Sequence, residues 1–235
     1  MKPQESAPLN WKPVPLPGPV TLRGRYVTLE PLDADRHTPA LWGAVLGHDE
    51  IWTWLFDGPY ECESDLHLAL AEKQASSSAV FLAILPEHPI PATAAGCPAA
   101  AGYASYMRIE AAHGVVEVGN ILLSPRLQRT RAATEAMYLM AQHIFDDLGY
   151  RRYEWKCNAL NAPSRRAALR LGFAFEGIFR QHMVIKERSR DSAWFSMLDG
   201  EWPSRRQAFE KWLDPANFDP DSRQVAPLRA FRAPQ

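Results

Sequence analysis

Hydrophobic positions along the chain alternate between two spacings, and the changes of spacing mark the elements. Val20-Thr21-Leu22-Arg23-Gly24-Arg25-Tyr26-Val27-Thr28-Leu29-Glu30 reads as strand, turn, strand. From Leu32 to Gly47 the period becomes helical, with Leu41, Trp42, Val45 and Leu46 on one side. An aromatic stretch from Ile51 to Phe56 follows, and then a second amphipathic helix over Glu63 to Ala75, with Leu66, Leu70 and Ala71 inward. Ala79 to Leu85 is a continuous apolar run of buried-strand length. Four prolines make Pro86 to Pro98 a loop. Ala100 to Ile109 and Val115 to Leu123 read as strands turning at His113-Gly114.

The second half alternates strand and helix. Ala133, Met137, Met140, Ile144 and Leu148 keep the helical period over Arg131 to Leu148, and Gly149 suits its end. Arg152 to Asn158 is a strand, and Ala162 to Leu171 a short helix between Asn161 and Gly172. Two strands close the run, near Ala174–Ile185 and Ser192–Leu198, and Pro203 starts a last helix ending at Leu213. Strands first as an antiparallel run, then alternating with helices, predict an α/β (α+β) fold with a mixed sheet. The expected organisation is a Pro-rich arm over 1–19, one domain over 20–213, and a Pro-rich tail over 214–235. Trp11 and Leu16 are candidate anchors for the arm.

Charge narrows the function classes. Lys plus Arg is 26 and Asp plus Glu is 27, a formal net charge of −1. No global field recruits nucleic acid, and no motif for its recognition appears. No stretch approaches the length of a membrane span, and the N-terminus lacks the apolar core of a secretory signal. Cys62, Cys97 and Cys157 are odd in number and show no ligand spacing. That favours reduced thiols, no metal and a cytoplasmic setting.

Two segments carry candidate chemistry. After the strand ending at Leu123, a short loop leads into a helix that begins with small residues, Arg131-Ala132-Ala133-Thr134. The first amides of a helix lack intrahelical partners and favour an anion such as a pyrophosphate. Gln128, Arg129, Thr130, Arg131 and Thr134 add donors or charge, and Ala132 and Ala133 leave the approach open. The second segment, Asn158-Ala159-Leu160-Asn161-Ala162-Pro163-Ser164, again ends a strand and starts a helix. Capping accounts for Asn161, and a first-turn polar position for Ser164.

Together these segments resemble the GCN5-related N-acetyltransferases over roughly residues 20–200. The resemblance lies in Asn161-x-x-Ser164 followed by Leu171-Gly172-Phe173, and in Gln128 to Ala136. Leu22-Arg23-Gly24-Arg25-Tyr26-Val27-Thr28-Leu29-Glu30-Pro31-Leu32 is similar to the opening of the branch that includes the ribosomal-protein N-terminal acetyltransferases. One position departs: the family loop reads Gln/Arg-x-x-Gly-x-Gly/Ala, and Arg131 stands at the first glycine. Its side chain either points away from the phosphates or folds over them.

The resemblance implies a largely antiparallel sheet with flanking helices and a splayed parallel pair. The pantetheine arm of acetyl-CoA would then lie along Ile121, Leu122 and Leu123. It implies direct transfer to an amine acceptor, a protein N-terminus or a small molecule. Ser164 is the candidate acid and Asn161 a coenzyme A contact. Glu117 is the candidate base, with Glu154 and His182 behind it. Trp52, Trp54, Asn158 and His182 are expected at the acceptor, with Phe56, Tyr60, Arg180, Gln181 and Asp191 nearby. Three options remain beside this reading: a larger acyl group such as succinyl, a catalytically silent acyl-CoA-binding module, and a homodimer.

Overall fold

The computed structural model describes residues 9–87, 99–221 and 223–232. Cys97 and most of the proline loop lie outside them. Eight strands form one sheet in the order β1-β2-β3-β4-β5-β6-β8-β7. They are β1 (Leu22–Arg23), β2 (Val27–Pro31), β3 (Ala79–Pro86), β4 (Gly102–Glu110), β5 (Val115–Leu123), β6 (Arg152–Asn158), β7 (Ala174–Ile185) and β8 (Arg188–Leu198). Every neighbouring pair is antiparallel except β5 and β6. The α-helices are α1 (Ala34–Val45), α2 (Glu63–Gln74), α3 (Arg131–Gln142), α4 (Ala162–Leu171) and α5 (Trp202–Leu213).

Side-chain alternation along the strands builds two cores. On one face Val116, Val118, Tyr153 and Phe195 pack with Ala136 and Met140 of α3, Ala168 and Leu171 of α4 and Phe209 of α5. On the other, Phe81, Ala83 and Tyr103 pack with Leu41 and Val45 of α1 and Leu66 and Leu70 of α2. Leu46, expected on the inner side of α1, caps that helix and is exposed.

Three element ends differ from the sequence reading. The helix expected to run to Leu148 is α-helical only to Gln142. It finishes as a π-turn over His143–Asp147, and Gly149 follows with φ +74°. β8 begins at Arg188 rather than Ser192. The β7–β8 loop is Lys186-Glu187, with φ of 48° and 61° at the two residues. That conformation suits a two-residue hairpin, but Lys-Glu lacks the Asn-Gly signal that announces one. Beyond α5 the chain forms 3-10 turns at Pro215–Asn217 and Leu228–Phe231, and Leu228 is buried in the main core.

At the other end the arm lies on the domain. Trp11 Nε1 donates to the Ala112 carbonyl at 2.8 Å, and Val14 N–H to Ala111 at 3.1 Å. Trp11 serves as an anchor, whereas Leu16 is exposed. The turn between β1 and β2 is fixed from α3: Glu135 accepts the N–H groups of Arg25 and Tyr26 at 2.9 and 2.6 Å. A Cβ at Gly24 would collide with that carboxylate, so only glycine admits it there.

Candidate active site

The parallel pairing of β5 and β6 runs from Val115–Arg152 to Val118–Trp155 and stops there. The cause is visible in β5. Against β4, Gly119 pairs with Ser105 and Leu122 with Tyr103, so β5 carries one residue too many. Asn120, with φ 48°, takes up this bulge. The strand bends where its parallel partner continues straight, and the two part.

A cavity of about 800 Å³ opens on the α3–α4 side of this gap. Ile121 and Leu123 of β5, Trp155 of β6, Arg129 to Thr134, and Ala167 and Arg170 of α4 line it. Its outer wall comes from both ends of the domain, Tyr26 near one end and Trp212, Phe218, Arg223 and Gln224 near the other. Arg126, Arg129, Arg131, Arg170 and Arg223 line it, with no carboxylate among the lining residues. Thr130 caps α3, accepting Ala133 N–H at 3.1 Å. Arg170 donates to Thr134 Oγ1 at 3.1 Å and so ties α4 to the start of α3. The Arg131 guanidinium stacks between Tyr26 at 4.8 Å and Phe218 at 4.6 Å. It therefore stands in the cavity wall rather than across the first amides of the helix.

Other expected residues are placed differently. Leu122 points to the α1–α2 core and does not line the cavity. Gln128 spans its own loop, Nε2 donating to the Leu123 carbonyl at 3.0 Å. Asn161 caps α4 by accepting Ser164 N–H at 3.0 Å. Ser164 Oγ accepts from Trp155 Nε1 at 3.0 Å and reaches the Cys157 thiol, which burial pushes above its ordinary pKa. Asn158 accepts Leu160 N–H at 2.9 Å. Trp52 is buried against Tyr60 in the α1–α2 core. Trp54 and Phe56 are partly exposed. His182 Nδ1 lies 2.9 Å from Ser192 Oγ, beside Phe179 and Trp194.

The opposite side of the gap is polar. Glu117 and Lys156, buried on the face shared with α1 and α2, lie 3.5 Å apart, and Arg108 Nε is 3.1 Å from the Glu117 carboxylate. A second bulge, with φ 49° at Arg108, lets β4 turn that arginine toward Glu117. Burial raises the Glu117 pKa above the ordinary carboxylate value, against the pull of Lys156 and Arg108. Burial also lowers that of Lys156, opposed by Glu117. Glu154 faces Arg152 at 2.6 Å and is engaged in that pair.

The acetyltransferase (GNAT) domain family matches residues 27–174. A GCN5-related N-acetyltransferase from Brucella melitensis is 46% identical, with a TM-score of 0.89, covering 95% of this chain and 98% of its own. The chain belongs to the GNAT acetyltransferases. A probable GNAT acetyltransferase from Chromobacterium violaceum is 40% identical, with a TM-score of 0.76 over 86% of this chain and 98% of its own. An acetyl transferase from Salmonella typhimurium, described as modifying the N-terminal serine of ribosomal protein L7/L12, is 19% identical. It covers 74% of this chain and 96% of its own with a TM-score of 0.61, a likeness of fold alone. No curated protein matches the chain.

As a GNAT enzyme the protein is an acyltransferase, and enzymes of this family generally use acetyl-CoA. The cavity fits such a polyanion: small residues at a helix start, five arginines and an apolar floor. Among the described residues no cluster suits a metal ion, and no helix is long and apolar enough to cross a membrane. Sequence reasoning missed Tyr26, Arg126, Arg170, Trp212, Phe218 and Arg223 in the cavity, and Arg108, Lys156, Arg190 and Trp194 opposite. Only long-range packing brings these residues to the site, and no local motif marks them.

Proposed function

We propose that the protein transfers the acetyl group of acetyl-CoA to the primary amine of a protein N-terminus or small molecule, directly within a ternary complex. One observation carries this reading. The gap between β5 and β6 has an arginine-lined cavity on one side and a buried carboxylate on the other. Bound acetyl-CoA supplies the acyl group as a thioester. Arg129, Arg170, Arg223 and the start of α3 would hold its phosphates, and Ile121 and Leu123 would flank its arm. Glu117 would take the proton from the acceptor amine, directly or through water, and burial raises its pKa in the direction that favours a base. Ser164 would donate to the departing sulfur from the first turn of α4.

The acceptor would enter from the α2 side. There a second cavity of about 390 Å³ is lined by Glu72, Lys73, Phe81, Met107, Arg108 and Asn120. The β1–β2 segment supports placing the protein near the ribosomal-protein acetyltransferase branch, and the thiols of Cys62 and Cys157 support a cytoplasmic setting. Calorimetric titration with acetyl-CoA, followed by thiol release with a panel of amines, tests the reading. Saturable binding with amine-dependent release is expected. Binding without release on any amine would leave an acyl-CoA-binding protein instead.

A further inference from the structure

Around Glu117 the charges do not balance. Arg108 and Lys156 face its carboxylate and stack on the Trp194 ring at 4.8 and 5.2 Å. Arg190, on β8, is a third cation in the same group. Its guanidinium lies 5.3 Å from the Phe56 ring, the residue is 6% exposed, and its Nε has no hydrogen-bond partner. Burial, with the fields of Lys156, Arg108 and Arg190 added, lowers the His182 pKa.

Glu72 lines the second cavity with Lys73, and the other neighbouring acids are committed elsewhere. Glu154 and Glu176 hold Arg152, Asp191 accepts Gln181 N–H at 2.7 Å, and Asp57 holds Lys73. Arg108 and Lys156 thus face one carboxylate beside the second cavity, which Arg108 lines, and Arg190 adds a third positive charge to their surroundings. Neither Arg108, Lys156 nor Arg190 lines the larger cavity assigned to the cofactor, so its phosphates are not their counter-charge. Arg190 is buried with its Nε unpartnered, which is costly, and a ligand that brings an anion offsets that cost.

Resting on the acyl-transfer reading above, we infer that Arg108, Lys156 and Arg190 form a carboxylate-recognition subsite, so the acceptor is an amine that also carries a carboxylate. Planar guanidinium groups match a carboxylate in shape as well as in charge. The amine would sit at Glu117 and its carboxylate at Arg190 and Arg108. A polyamine or another polycationic acceptor would meet like charge here and is selected against. A free amino acid and a peptide with an acidic residue near its N-terminus offer the same chemistry.

Two measurements test this. The first is calorimetric binding of glutarate, which requires no turnover. Arg190→Gln is expected to weaken it by ~10-fold or more, leaving acetyl-CoA affinity unchanged, while Arg190→Lys retains part of it. Arg108→Gln, at a more exposed side chain, gives the same readout should Arg190→Gln not fold. The second compares kcat/KM within matched acceptor pairs: L-alanine against L-alaninamide, and a Ser-Glu peptide amide against its Ser-Gln counterpart. The carboxylate member should lead by ~10-fold or more. Which pair shows the larger preference separates a free amino acid from a peptide. Equal rates within both pairs, or glutarate binding indifferent to Arg190 and Arg108, overturn the subsite. Glutarate binding that depends on Arg190 in a protein that acetylates no amine would uphold the subsite and sink the transferase reading.

Discussion

Trp155 Nε1 donates to Ser164 Oγ across 3.0 Å, joining the last residue of β6 paired with β5 to the first turn of α4. The bond uses a lone pair of the hydroxyl oxygen, and the same hydroxyl reaches the Cys157 thiol. Ser164→Ala should therefore have two separable effects. Stability should fall by about 1 kcal/mol, because the indole N–H loses its acceptor. If Ser164 also serves the leaving sulfur, kcat should drop by ~10²-fold with little change in acetyl-CoA affinity. Urea unfolding and steady-state kinetics read the two effects. Lost stability with normal kcat would make Ser164 a structural partner of Trp155 only.

With Glu117 as the proposed base, its ionisation should set the acid limb of the rate profile. Only its ionised form accepts a proton, and burial raises its pKa, so the rate should climb with pH through a value above the ordinary carboxylate range. Lys156 interacts strongly with it, so the limb belongs to the pair. Glu117→Gln should lower the rate by about 10²–10⁴-fold, with partial recovery at high pH as free amine becomes available. A variant with the wild-type rate and profile would move the base elsewhere.

Arg129 lines the cofactor cavity from an exposed position. Arg129→Glu should weaken acetyl-CoA binding by ~10-fold or more at low salt, and by less at high salt. Its melting temperature should match the wild type. Calorimetry at two ionic strengths checks both points, and an unchanged affinity would remove Arg129 from the phosphate site.

Glu135 is buried and accepts two backbone N–H groups of the β1–β2 turn. Glu135→Ala should cost about 3 kcal/mol, since two donors lose a charged acceptor. Gly24→Ala should also destabilise, by collision with the same carboxylate. Denaturant midpoints decide: a loss within error for Glu135→Ala would show the turn to be held by its own strands.

What the sequence revealed depended on the range of the interaction. Apolar periodicity located β5, α3, β6 and α4, because each is a local pattern answering to one buried face. Asn161 announced the start of α4 for the same reason, whereas Thr130, read as a donor to the phosphates, caps α3. The splay needed more. Asn120 in a left-handed conformation has no signature inside an otherwise regular strand, and Arg108 is turned by a bulge that alternation does not foresee. The family resemblance places Trp52 at the acceptor, and packing against Tyr60 in the α1–α2 core buries it. Arg131 appeared to spoil a phosphate loop because its stacking partners, Tyr26 and Phe218, are remote in the chain.

That last arrangement bears on how the protein acquires its cofactor. Tyr26 is synthesised early and Phe218 late, and both must close on Arg131 before the outer wall of the cavity exists. A nascent chain can complete the sheet and α3 while the wall still lacks Trp212, Phe218 and Arg223. Acetyl-CoA would then find its full site only after the segment around Phe218 has docked, making cofactor capture dependent on that docking. A ligand that binds only this closed form also stabilises it by mass action, so the tail should resist proteolysis more strongly with acetyl-CoA present.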